Sequence, residues 1–109
     1  MAENCSYRVN GRTYYGTTPK YVLDIDAGVP MSDIGFDVRL VCGERSITVK
    51  KSEMPVDRDG KFYLCFDTKQ LGVGRVDAVV TAYIEDSDFK DGQRREVFVV
   101  KNLLDILGV

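Results

Sequence analysis

Segment 75–86, "RVDAVVTAYIED", alternates along its length, with Val76, Ala78, Val80, Ala82 and Ile84 on one face. A period of two marks a strand with one buried and one wet face, and it cannot be the stripe of a helix. The same period recurs. Tyr21, Leu23 and Ile25 share a face in "YVLDI". In "FDVRLVC", Phe36, Val38, Leu40 and Cys42 point one way and Asp37 and Arg39 the other. Ile47 and Val49 alternate with Ser46, Thr48 and Lys50, and Phe62, Leu64 and Phe66 alternate with Tyr63 and Cys65. "RREVFVVK" is a further strand whose unbroken apolar run leaves its inner face ambiguous.

Turn chemistry separates these runs. Asn10-Gly11, between "SYRV" and "RTYY", predicts a tight hairpin, because both central positions of such a turn favour positive φ. Cys42-Gly43-Glu44, Asp57-Arg58-Asp59-Gly60, Gly72-Val73-Gly74 and Asp91-Gly92 break the chain elsewhere. Short strands with no amphipathic helix between them predict one all-β domain over 1–109, an antiparallel sandwich or small barrel. Residues 1–19 are expected as an N-terminal hairpin arm and 102–109 as a C-terminal tail. Within that tail "NLLDIL" is too short to assign as helix or edge strand.

The chain has no histidine, which removes Ser-His-Asp and Cys-His catalysis and the commonest zinc ligand. Its three cysteines, Cys5, Cys42 and Cys65, are odd in number and widely spaced, so they read as free thiols. Fifteen basic and 17 acidic residues are well mixed, so there is no global field for nucleic acid or an anionic membrane. The polar start "MAENCSYRVNG" is not a secretory signal, and no apolar run is long enough to span a bilayer. The expectation is synthesis in the cytoplasm, no enzyme activity, no cofactor and no metal.

"DSDFKDG" (86–92) is the nearest approach to a metal site. A calcium loop needs oxygen ligands at positions 1, 3 and 5, glycine at 6 and a carboxylate at 12. Counted from Asp86, position 5 is Lys90, glycine falls at position 7, and position 12 is Val97. The stretch therefore reads as a turn, with Gly92 at the corner and Asp86 and Asp88 satisfying loop amides. Asp57-Arg58-Asp59-Gly60 reads the same way. Asp24, Asp26, Asp33 and Asp37 make an acidic neighbourhood around the irregular stretch 26–35 and read as solvated acids. Lys50-Lys51 and Arg94-Arg95 read as solvated strand ends, and "LGVG" (71–74) as a strand-entry turn. Among the tyrosines Tyr7, Tyr14, Tyr15, Tyr63 and Tyr83, the first three stand together on the expected hairpin. Tyrosine suits a protein interface because it combines contact area with a polar tip.

Phe66-Asp67, Leu71-Gly72-Val73-Gly74, the long strand Val76 to Glu85 and the turn Phe89-Lys90-Asp91-Gly92-Gln93-Arg94 follow one another in a distinctive order. In that order the chain resembles the immunoglobulin-like N-terminal domain of phage baseplate upper proteins and small structural proteins of Bacteroidetes phages and prophages. The likeness covers about two-thirds of the chain. It departs from the family at Lys90, where a proline is usual, and does not include the "YRVNGRTYYG" segment. The resemblance implies an immunoglobulin-like antiparallel β-sandwich of about seven to eight strands. It also implies a virion-associated role in assembly with other tail or baseplate proteins or with copies of itself. Tyr7, Tyr14 and Tyr15 are then the candidate anchors for a neighbouring subunit. The alternatives are a carbohydrate-binding module that stacks sugars on the same tyrosines, and a calcium-stabilised adhesion domain using Asp86, Asp88 and Asp91.

Overall fold

The computed structural model describes the backbone of residues 4–7, 11–26 and 28–108. Its strands are β1 (Asn4–Tyr7), β2 (Gly11–Tyr14), β3 (Lys20–Asp26), β4 (Gly35–Cys42), β5 (Arg45–Lys50), β6 (Phe62–Cys65), β7 (Gly74–Glu85) and β8 (Gln93–Leu107). Three short 3-10 turns, Met31–Asp33, Lys51–Glu53 and Thr68–Gln70, are the described helical pieces. The strands form two sheets, ordered β1-β3-β6 and β2-β8-β7-β4-β5.

The two sheets face each other across one core, and the alternation read from sequence decides which side chains enter it. Leu23 and Ile25 of β3 and Phe62 and Leu64 of β6 meet Phe36, Val38 and Leu40 of β4 and Val76, Ala78 and Val80 of β7. Phe36 and Phe62 join the sheets edge to face, with centroids 5.2 Å apart. The seam is tightly filled: the cavity between Leu23, Val38, Leu64 and Leu103 is about 20 Å³. On the first half of β8 the even-numbered residues face inward, with Arg94, Glu96 and Phe98 half-buried and Val100 buried, which resolves the face that its apolar run concealed.

Three expectations are corrected. Residues 8–10 lie outside the described residues, but the strands on either side of the expected Asn10-Gly11 hairpin do not pair with each other: β1 pairs with β3 in one sheet, and β2 pairs with β8 in the other. Splitting the segment lets each half complete a sheet edge, which satisfies more backbone than a free two-stranded arm. The β2–β8 pairing is also parallel, so the sheets are not purely antiparallel. Finally, 102–107 is not a tail but the second half of β8, and Leu103, Leu104 and Ile106 are all buried. The register shifts between Val76↔Leu104 and Ala78↔Val100, so three β8 residues lie opposite Asp77 alone. Asn102 absorbs the bulge with φ 55°, and its N–H donates to Asp77 Oδ1 at 2.7 Å. The bulge is why two consecutive leucines are both inside.

Candidate interaction surface

The aspartate stretches are turns, as their sequence predicts, with one change of residue. In 86–92 the Asp86 N–H donates to the Gly92 carbonyl at 2.9 Å, and Gly92 has φ 75°. Asp86 Oδ1 accepts the Asp88 N–H at 3.0 Å and Asp91 Oδ1 accepts the Gln93 N–H at 3.2 Å, so Asp91 takes the role expected of Asp88. In 57–61, Asp57 Oδ1 accepts the Asp59 and Lys61 N–H groups at 2.9 and 3.0 Å, and Oδ2 accepts the Tyr63 hydroxyl at 2.8 Å. The Lys61 amide and the Tyr63 hydroxyl hold the Asp57 carboxyl below its ordinary range, and the same bond raises the Tyr63 phenol. Among the described residues no three His, Cys, Asp or Glu side chains gather as metal ligands. Asp24 and Asp37 project from the outer faces of opposite sheets and do not converge. The Asp26 side chain lies outside the described residues.

Lys51 departs from its expected role as a solvated strand end. Its Nζ donates to the carbonyls of Met31 (3.1 Å), Ser32 (3.1 Å) and Ile34 (2.6 Å) and sits about 5.5 Å from the Phe36 and Phe62 rings. An ammonium has three donors, and here three carbonyls receive them. At the other end of β4, the Thr68 hydroxyl accepts the Gly16 N–H at 2.8 Å and donates to the Thr17 carbonyl at 2.9 Å. Neither clasp carries a local sequence signal, since the partners lie 17–20 residues away for Lys51 and 51–52 away for Thr68.

The tyrosines do not form one platform. The Tyr7 side chain lies outside the described residues; its backbone in β1 is opposite Leu23. Tyr14 ends β2 and is 57% exposed, and Tyr15 opens the following turn with its N–H on the Leu107 carbonyl. Tyr63 is committed to Asp57, and Tyr83 lies on β7 opposite Gly35 and Arg95. The β2 edge also offers less backbone than an open strand, because both the N–H and the hydroxyl of Thr17 donate to the Tyr14 carbonyl. Tyr14 and Tyr15 can therefore engage a partner by side chain, and strand addition there is hindered.

The larger exposed apolar surface lies elsewhere, where the sequence reading did not place it. On the outer face of the five-stranded sheet, Val97 and Val99 of β8 are 54% and 56% exposed. Directly opposite them on β7 stand half-buried Thr81 and Val79, and beyond these on β4 stand Asp37 and Arg39. Farther along the same face, Tyr14 pairs in register with half-buried Leu107. The "FVV" run held the signal: an outward residue every second position is apolar where solvent would select polar ones. A separate notch of about 370 Å³ lies between Val29, Asp33, Ile34, Ile84 and Glu85 at the Lys51 end.

Compared with family models, curated proteins and solved structures, the chain matches none. No helix among the described residues is long and apolar enough to cross a membrane.

Proposed function

We propose that this chain is a non-enzymatic structural module, of the phage or prophage tail and baseplate type, that works through protein–protein contacts. The observation that carries the contact reading is the outer face of the five-stranded sheet, where exposed Val97, Val99 and Tyr14 stand in place of polar residues. The tail and baseplate assignment rests on the sequence resemblance alone.

We also propose that the two sheets form an immunoglobulin-like sandwich. The support is topological: the first segment is shared between the sheets, antiparallel to β3 in one and parallel to β8 in the other, and the larger sheet runs β8-β7-β4-β5. That sheet order corresponds to the strands G-F-C-C′ of variable-type domains, and β1-β3-β6 to A-B-E. The place of strand D is taken by 51–61, which contributes one bridge, Val56 to Phe62, and the Pro55 carbonyl that receives the Tyr63 N–H.

The test is absolute mass in solution over a dilution series, alone and mixed with phage tail and baseplate proteins. Tyr14→Ala with Tyr15→Ala should weaken the resulting assembly without lowering the melting temperature. A chain that stays monomeric and joins no complex at any concentration removes the assembly reading.

A further inference from the structure

We propose that the outer face of the five-stranded sheet is the interface of a homodimer, with Asp37 of each copy opposite Arg39 of the other. The inference rests on the assembly reading and names its first partner, a second copy of this chain.

The register supplies the argument. Val97, Thr81, Asp37 and Lys50 form one row across β8, β7, β4 and β5, and Val99, Val79, Arg39 and Thr48 form the next. Consider a two-fold axis lying in the interface, across the strands and midway between these rows. It lays each row over the other row of the second copy. Val97 then meets Val99, Thr81 meets Val79, and Asp37 meets Arg39, each contact occurring twice. A two-fold interface requires a patch that complements itself, and opposite charges two residues apart on one strand face meet that requirement. The centre is apolar, while Arg95 and Lys101 flank the valines at the rim, where their mutual repulsion is screened.

The size also fits. Strands of 4, 15, 12, 8 and 6 residues, at about 3.4 Å per residue and about 4.8 Å spacing, give a face of about 730 Å², close to the roughly 800 Å² per partner in a stable complex. The open edge of this sheet is a poorer route to the same dimer. Antiparallel pairing of β5 with itself, centred on Ile47 and Thr48, would set Arg45 against Lys50 of the second copy at both ends.

Sedimentation equilibrium from about 1 µM to about 300 µM tests the proposal. The wild-type chain should be a dimer, and Val97→Asp with Val99→Asp should raise the dimer Kd about 100-fold. Asp37→Arg or Arg39→Asp alone should raise it about tenfold, and the two together should restore it to within about threefold. The charge exchange does not touch the valines, so it carries the test should the double aspartate variant fail to fold. A monomer throughout the range, a dimer indifferent to the valine changes, or an exchange that does not restore affinity each overturns the proposal. If Tyr14→Ala with Tyr15→Ala breaks a dimer that the valine variant leaves intact, assembly stands and this interface falls.

Discussion

Thr68 and Lys51 hold the two ends of the molecule closed with opposite chemistry. Thr68 is fully buried, and its neutral hydroxyl both accepts from Gly16 and donates to Thr17. Lys51 is half-buried, and its charged head draws in three carbonyls and stands about 5.5 Å from the Phe36 and Phe62 rings. A buried neutral group is held by geometry alone, because any donor it loses is left without water. A half-exposed cation exchanges some of its bonds for water at smaller loss. The ends should therefore differ in how much each substitution costs and in how each responds to solvent.

The largest effect is expected at the dry end. Thr68→Val keeps the shape but leaves the Gly16 N–H without its acceptor, which should destabilise the chain by about 2–3 kcal/mol. Thermal melting should register this as a drop of about 10 °C. A shift no larger than that of a surface substitution would mean that water reaches the Thr68 site and that the contrast is false.

Lys51→Met should cost less, about 1 kcal/mol, because solvent replaces some of what the ammonium supplied. Its effect should be local, with amide exchange accelerating in 31–34 and leaving 16–17 unchanged. If both segments loosen together, the two clasps belong to one cooperative unit.

The smallest effect separates the ends by pH. Asp57 lies in the turn leading to Phe62, beside the Lys51 end, and its folded carboxyl is held below the ordinary value by the Lys61 amide and the Tyr63 hydroxyl. A depressed carboxyl contributes stability that is present above the unfolded value and is lost as pH falls through the folded one. Acid titration should therefore move the Asp59 and Lys61 amide signals together below the usual aspartate range, with Gly16 and Thr68 unmoved. Asp57→Asn should abolish that movement.

The faces of β3, β4, β6 and β7 are legible in the sequence because burial on one side of a sheet writes itself as alternation, and Phe36, Val38, Leu40 and Cys42 are inside as their spacing predicts. The aspartate turns are legible because their partners are two to six residues away. What stays hidden depends on distant partners. "VNG" has the composition of a hairpin, yet nothing local says that β2 will find Leu104–Leu107. "NLLDIL" reads as a fragment because its alternation is broken by a bulge whose acceptor, Asp77, lies 25 residues earlier. Thr68 looks like any loop threonine and Lys51 like any surface lysine. The apolar face is present in the letters as "VFVV", but only the pairing with Val79 and Thr81 turns it into a surface.

The parallel pairing of Gly11–Tyr14 with Leu104–Leu107 has a mechanical consequence. Tension carried through the chain, entering ahead of β2 and leaving beyond β8, pulls these two strands along their lengths in opposite directions. The bonds between them are then loaded side by side, in shear, and must yield together; an antiparallel hairpin pulled from its open end would unzip rung by rung. In a molecule meant to transmit force, that strand direction would make the first strand of the larger sheet a fastening.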